Sequence, residues 1–468
     1  MTDQRKSEPL SNVDAAWLRM EHPTNLMMIT SVMMFEDSID FEQLKVLVEQ
    51  RMLRFNRFRQ RVVDINTTPC WEDDPHFDIR AHVHRVALPA PGDQAALEAL
   101  VSDMMSTPLN FSRPLWHWHL VEGYNGGCAV ISRIHHCIAD GIALVHVMLS
   151  MTDEAVAGKS MNGKTHASQA ASWLERIVRP AASGVGQAVS EGVNIFNNPA
   201  RILDLMQVGT GSAGAANKLL MMPPDPPTIF KGQLGLIKRA VWSMPIPLSD
   251  LKAIGHSTRS TINDVLLSVV SGALRRYMQH RGVPTDNLNI RAVIPVNLRS
   301  LAETPTMGNR FGLVFLSLPI GMEHPIDRLV ELQTRMDDIK GSPEAMVAFG
   351  LLNVMGMVPR RIENLILKIF GTKATAVMTN VPGPRETLTM AGKNITGMMF
   401  WVPQSGRLGL GVSILSYAGE VRLGIATDVG LVPDPDVIVQ AFNDEFERFR
   451  AMVHRVEEAK AEFQAKQK

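Results

Sequence analysis

The stretch from Ala129 to Gly141 constrains this chain more than any other. Ala129, Val130 and Ile131 form an apolar run that reads as a strand, and His135-His136-Cys137-Ile138-Ala139-Asp140-Gly141 follows it. Successive strand residues point to opposite faces, so one histidine faces a cavity and the other faces packing. An imidazole with an unperturbed pKa of about 6.5 can accept a hydroxyl proton at neutral pH. His136 is assigned as the general base and His135 as a packing or orienting residue. Asp140 is read as structural or orienting, an N-cap or ion-pair partner rather than a charge relay. Gly141 is expected to permit a tight turn before the next helix. Cys137 adjoins His136, but neighbours on extended backbone diverge, so Cys137 is read as a small buried residue rather than a dyad partner.

The chain has 468 residues and is 45% hydrophobic, enough for two or three domains with a large core. Its formal net charge is zero, which favours neither nucleic acid nor an acidic surface as a bulk partner. The three cysteines, Cys70, Cys128 and Cys137, have no metal-knuckle spacing and imply no disulfide framework. The opening residues are polar, without the apolar core of a secretory signal. No run approaches the roughly 18 apolar residues of a spanning helix, so a cytoplasmic protein is expected. The 28 methionines suit a malleable apolar interior.

Periodicity organises the chain into three parts: a mixed α/β half over 1–153, a linking region over 154–235 and a second mixed half over 236–468. Residues 41–61 carry a helical apolar stripe of Leu44, Leu47, Val48, Met52 and Phe55. Residues 94–106 read as a helix, and 113–122 alternate like a strand. The linking region is rich in Gly, Ala, Ser and Asn, has short amphipathic candidates at 173–179 and 200–207, and is stopped by Pro223-Pro224-Asp225-Pro226-Pro227. Further on, strands are expected at 237–243, 290–296, 311–319, 374–380, 408–415 and 420–427. Helices are expected at 263–280, with Thr261 as N-cap, at 325–340 and at 435–456. No short repeat is visible.

His82-x-His84 and His117-x-His119 each have the strand spacing that offers two metal ligands from one face. Nothing in the sequence brings a third ligand near either pair, and no metal is expected. Pro359 to Phe370 pairs apolar residues at 362, 365, 366, 369 and 370 with basic flanks, the pattern of a core-facing helix or of one lying on a lipid surface.

His135 to Gly141 resembles the HHxxxDG motif of the acyl-CoA-dependent acyltransferase superfamily, which includes chloramphenicol acetyltransferase and peptide-synthetase condensation domains. Pro114-Leu115-Trp116 resembles the PLW element of the bacterial wax ester synthase/diacylglycerol acyltransferase family. Thr261-Ile262-Asn263-Asp264-Val265-Leu266 resembles its ND element, and Asn380-Val381-Pro382-Gly383-Pro384 its NVPGP element. Leu10 to Trp17, Pro295 to Arg299, and Gly308-Asn309 fit the same family. The resemblance runs from about residue 8 to 455, and the order of the motifs carries it.

The resemblance implies an α/β (α+β) fold of two chloramphenicol acetyltransferase-like lobes with mixed sheets and a substrate tunnel between them. It implies an O-acyltransferase moving a long-chain acyl group from acyl-CoA to a fatty alcohol or a diacylglycerol. Acyl-CoA is then a substrate, and no permanently bound cofactor or metal is expected. Asn263, Asp264, Asn380 and Gly383 are oxyanion or tunnel candidates. Helix capping is the plain alternative for Asn263-Asp264, and a rigid turn with Gly383 in the left-handed region for the NVPGP element. Arg299 is a candidate structural partner of Asp140. Pro114, Leu115 and Trp116 are packing residues or an acyl-groove wall. Lys238, Arg239, Arg275 and Arg276 are candidates for a basic mouth facing coenzyme A phosphates. A monomer or homodimer is expected, peripheral at the inner membrane or on lipid droplets, with no nucleic acid partner. The other readings are a condensation-type acyltransferase on carrier-protein substrates and a non-catalytic lipid-binding homologue.

Overall fold

The computed structural model describes residues 7–156, 221–298, 307–340, 371–404 and 408–466, together with 348, 350, 352, 353 and 355. Its strands are β1 (Glu8–Pro9), β2 (Met28–Phe35), β3 (Gln60–Ile65), β4 (Thr68–Asp73), β5 (Val83–Ala87), β6 (Trp116–Tyr124), β7 (Gly127–His135), β8 (Lys238–Trp242), β9 (Ile246–Pro247), β10 (Ile290–Asn297), β11 (Phe311–Leu318), β12 (Ala376–Pro382), β13 (Thr389–Met390), β14 (Lys393–Trp401), β15 (Leu410–Tyr417) and β16 (Glu420–Asp428). The main helices are α1 (Asn12–Arg19), α2 (Phe41–Arg51), α3 (Gln94–Met105), α4 (Gly141–Ser150), α5 (Leu248–Thr258), α6 (Ile262–His280), α7 (Pro325–Lys340) and α8 (Pro435–Lys466).

Two mixed sheets carry the molecule. One has the order β13-β14-β2-β7-β6-β5, the other β11-β10-β12-β15-β16-β8 with β9 beside β16. A small sheet, β1-β4-β3, flanks them. The expected mixed α/β architecture is observed. The first sheet draws strands from both halves of the sequence. β14, from the C-terminal half, pairs antiparallel with β2, setting Trp401 opposite Thr30 and Met399 opposite Val32. Trp401 and Met399 then join Val32, Ile131 and Trp242 in one buried cluster that bonds the two sheets.

β7 is central in its sheet and buried along its whole length, as its near-continuous apolar sequence demands. It therefore presents its final residue, His135, from a rigid edge. In the second half, Thr261 begins α6 with a reciprocal capping box. Its side chain accepts from the Asp264 N–H while the Asp264 carboxylate accepts from the Thr261 N–H. Such a cap contributes about 1 kcal/mol. α6 packs so closely on α8 that a Cβ at Gly272 would lie 2.6 Å from Glu445 Cγ. Glu445 bridges two helices there, accepting from Arg276 Nε at 2.7 Å and pairing with buried Arg328.

The helix expected over 41–61 stops at Arg51, gives way to two 3-10 turns over 52–54 and 56–59, and passes into β3. Met52 and Phe58 are both fully buried. On a continuous helix, six residues apart, they would diverge by about 120°. The turns let both enter one core. The tail of the linking region is described from residue 221. There Asp225 lies against the second sheet, its carboxylate accepting from the Arg291 N–H at 2.9 Å. The helix candidates at 173–179, 200–207 and 359–370, and Arg299, lie outside the described residues.

Candidate active site

The two histidines diverge as strand geometry requires. His135 is wholly buried. Its Nδ1 accepts from the Cys137 N–H at 3.1 Å, so the proton of a neutral ring resides on Nε2. Nε2 lies 3.4 Å from Glu21 Oε2. Glu21 in turn accepts from the Met27 N–H. These contacts fix the tautomer of a neutral His135 ring.

His136 leaves the strand. Its N–H donates to the Met27 carbonyl at 2.7 Å. Its ring stacks on the Trp17 indole, centroids 4.0 Å apart and planes 11° apart, with Phe311 tilted against it at 5.7 Å. Its Nδ1 is buried and makes no hydrogen bond among the described residues. Burial pushes the imidazole down to a pKa of about 4, overcoming the opposite pull of its own carbonyl and of Asp140. The ring is therefore neutral at pH 7, the form that a base requires.

A buried polar chain holds this backbone. Ser11 caps α1 by accepting from the Asp14 N–H at 3.1 Å, which sets both Asp14 and Trp17 on the first turns. Asp14 Oδ1 accepts from the Asn309 N–H at 3.0 Å and from Asn309 Nδ2 at 2.7 Å. Asn309 Nδ2 also donates to the His136 carbonyl at 2.7 Å. Gly308, at φ +103°, lets the chain turn beside the Asp14 carboxylate, which a Cβ would approach to 3.3 Å. Trp17, Asp14 and Asn309 appear in the sequence only as parts of family-like segments. No periodicity assigns them to His136, because the contacts span up to 295 positions.

Asp140 caps α4, its Oδ1 accepting from the Ala143 N–H at 2.9 Å. Its Oδ2 accepts from the Arg310 N–H at 2.9 Å, and its N–H faces the Gly308 carbonyl. The aspartate thus ties the histidine loop to segment 308–310, a link that capping alone does not reveal. Gly141 does not serve a strained turn. It is the first residue of α4, its φ is ordinary, and an added Cβ would meet nothing within 4 Å. Cys137 is fully buried, with its thiol pushed well up by burial.

The structure brings two of the oxyanion candidates together. Asn380 Nδ2 donates to Asn263 Oδ1 at 2.8 Å. That bond uses the Asn263 carbonyl and leaves the Asn263 N–H groups outside the pair. Asp264 faces its own cap instead and is not a donor. Asn380 is near the C-terminal end of β12, which runs parallel to β10. Asn297 at that end of β10 pairs with Phe311, whose ring touches His136. Gly383 is not left-handed, contrary to the turn reading. Glycine is needed because a Cβ would lie 2.4 Å from the Ser416 carbonyl oxygen.

Pro114, Leu115 and Trp116 are all buried. Trp116 is wholly buried, donates from Nε1 to the Phe58 carbonyl at 2.8 Å and stacks on His82. The Leu115 carbonyl accepts from the His135 N–H at 3.0 Å, which makes this element a brace for the histidine pair. The basic-mouth candidates are engaged elsewhere. Lys238 pairs with Asp428 at 2.5 Å, Arg239 with Asp436 at 2.6 Å, and Arg276 with Glu445. Arg275 donates to Thr285 Oγ1 at 2.7 Å and to the Ile320 carbonyl at 3.2 Å. The sequence brings no third group near either histidine pair, but the structure sets His84 beside His117 and His119.

A family model described as the wax ester synthase/diacylglycerol acyltransferase catalytic domain matches residues 10–266, and one described as the C-terminal domain of that family matches 307–450. The chain is 28% identical over 427 residues to a probable diacylglycerol O-acyltransferase of Mycobacterium tuberculosis, covering 89% of each chain. It is 26% identical over 450 residues to a second, putative diacylglycerol O-acyltransferase of that organism, covering 91% of this chain and 87% of the other. Among solved structures, the wax ester synthase/diacylglycerol acyltransferase of Marinobacter aquaeolei VT8 aligns with a TM-score of 0.68 at 21% identity, over 95% of this chain and 99% of that one. The condensation domain of the monacolin K polyketide synthase aligns with a TM-score of 0.58 at 13% identity, over 95% and 98%. At these identities the structural matches establish the fold.

Proposed function

The chain belongs to the wax ester synthase/diacylglycerol acyltransferase family, and from that premise we propose that it moves a long-chain fatty acyl group from acyl-CoA to the hydroxyl of a diacylglycerol or a fatty alcohol, with His136 as general base. The observation that carries the reading is the neutral His136 imidazole, stacked on Trp17 at the junction of the HHxxxDG loop and segment 308–310. His136 takes the hydroxyl proton as the oxygen bonds to the thioester carbonyl carbon. The carbonyl π pair becomes the oxyanion of a tetrahedral intermediate. As the carbon–sulfur bond breaks, the imidazolium returns the proton to the leaving thiolate, giving ester and free coenzyme A. The Asn263–Asn380 pair is the candidate donor set for the oxyanion, worth about 3 kcal/mol per donor in comparable sites. A buried site also keeps water from competing for the thioester.

His135, Asp140 and Gly141 shape the loop that presents the base, and no permanent cofactor is needed for this chemistry. We read the halves 1–153 and 236–468 as two lobes, laced where β14 of the second pairs with β2 of the first. No helix among the described residues is long and apolar enough to cross a membrane. Acceptors this apolar nevertheless call for work at a lipid surface. The condensation-type reading is supported by shared fold.

The test is purified protein with palmitoyl-CoA and either dioleoylglycerol or hexadecanol, following thiol release and the lipid product. Triacylglycerol or wax ester should form, and His136→Ala should lower kcat by at least about 100-fold. No ester with either acceptor, or an unimpaired His136→Ala enzyme, rejects the reading.

A further inference from the structure

Three histidines converge on one face of the first sheet, away from His136. Strands β5 and β6 run parallel, with His84 directly beside His119, and β6 carries His117 two residues before. One ring nitrogen from each of His84, His117 and His119 lies within 4.8 Å of the others. The rings meet at centroid distances of 5.1 Å (His84–His117), 5.2 Å (His84–His119) and 5.9 Å (His117–His119). Among the described residues, no carboxylate joins the group. His119 is over nine-tenths buried, and its Nδ1 has no hydrogen-bond partner among the described residues. The fourth histidine of the row, His82, is committed elsewhere: it stacks between Phe77 and Trp116, and its Nδ1 pairs with the Trp116 carbonyl at 2.9 Å.

We propose that His84, His117 and His119 form a site for a divalent transition-metal ion of the zinc class, with a fourth position left for water or an anion. Strand HxH spacing on β6 plus one histidine from the neighbouring strand gives three imidazoles on one face without distorting the backbone. A tetrahedral ion requires ligand nitrogens about 3.3 Å apart, so binding draws the three rings together from within 4.8 Å. Burial and the neighbouring charge of Arg133 hold His117 and His119 at a pKa of about 3, so both are neutral ligands at pH 7 with no proton to displace. β5 is the edge strand of its sheet and His84 is half-exposed, which gives the ion a way in. Arg133, opposite His117 on β7, opposes a dication. Its guanidinium is turned to the Thr107 carbonyl and the Met28 sulfur, and its charge favours an anion in the fourth position. Bound there, the ion pins edge strand β5 to β6, the strand that begins at Trp116 beside the His135 brace.

The experiment uses the full chain, stripped with a chelator and then titrated with Zn2+ against a chromophoric competitor. One ion per chain should bind, and Co2+ should give the intense visible absorption of a four-coordinate nitrogen site. His84→Ala and His119→Ala should each weaken binding at least about tenfold, while exposed His256→Ala should leave it unchanged. Failure to bind near one equivalent, a weak six-coordinate Co2+ spectrum, or site variants that bind as tightly as the unaltered protein overturns the proposal. The Co2+ spectrum of the unaltered protein decides the matter if a variant fails to fold. Acyl transfer need not respond to any of these changes, so this result and the acyltransferase test stand apart.

Discussion

The Trp17 indole lies flat against the His136 imidazole, with centroids 4.0 Å apart. The indole comes from the first helix of the chain and the imidazole from the loop after β7, so α1 is part of the site. Trp17→Ala removes a nearly buried aromatic and should cost about 3–5 kcal/mol of stability. Trp17→Phe keeps a stacking ring and should retain most of the Tm while lowering kcat about tenfold. Thermal melts alongside kcat and KM check this; an Ala variant with native kcat would show that the stack does not position the ring.

Asn309 spends its side-chain donors on Asp14 and on the His136 carbonyl. Asn309→Ala leaves a buried carboxylate short of a partner and should cost about 1–3 kcal/mol. It should lower kcat while KM for acyl-CoA holds. Asn309→Asp, which sets a second carboxyl beside Asp14, should be worse. Denaturant midpoints with steady-state kinetics separate the two effects.

The pH dependence has a defined sign. Burial holds His136 at about 4 when folded, against about 6.5 unfolded. Below 6.5 the unfolded chain takes up a proton that the folded chain refuses. The stability tied to this neutral ring is therefore complete above 6.5 and is lost as pH falls toward 4. His117 and His119 add to the loss with the same sign. Tm should drop between pH 7 and 5, while kcat shows no inflection near 6.5 on a folded enzyme. A rate profile breaking at 6.5 would assign the working base to an exposed imidazole instead.

Gly383 and Gly141 should respond oppositely to alanine. At Gly383 the new Cβ would overlap the Ser416 carbonyl, displace the end of β12 and cost about 1–3 kcal/mol. At Gly141 it would meet open space at the first position of α4, so Tm should hold or rise. Differential scanning calorimetry of both variants reads the contrast.

If the Asn263–Asn380 pair receives the oxyanion, Asn263→Ala should lower kcat about 100-fold with little change in KM. The double variant should cost less than the sum of the singles, because each amide orients the other. Additive losses would mean that the two residues act separately.

The regular elements of the second half were legible because their signals are local. Thr261 precedes an apolar helical stripe, and α6 begins at Ile262. The strands at 290, 311, 410 and 420 lie within two residues of their expected starts. The site motif was legible for the same reason: His135 to Gly141 carries its strand end, loop and helix start in one run. The rest depends on long-range contacts. Nothing in Lys393–Trp401 tells that one edge pairs with β2, while the other pairs with its sequence neighbour β13. Likewise His84 and His119 are 35 positions apart, and only the parallel register of β5 on β6 makes them neighbours. The stripe at 41–61 misled because Met52 and Phe58 reach one core through 3-10 turns, which share much of the helical pattern.

The exchange of β14 has a consequence for biogenesis. Four strands of the sheet that bears His135, β2, β5, β6 and β7, are synthesised by residue 135, yet the β2 margin, rich in methionine, stays unpaired until residue 401 has left the ribosome. For more than 250 residues of elongation the nascent chain carries a sticky border. The first half cannot finish ahead of the second, and a chain truncated before 393 should be recognised by chaperones as unfinished rather than released as a free-standing domain.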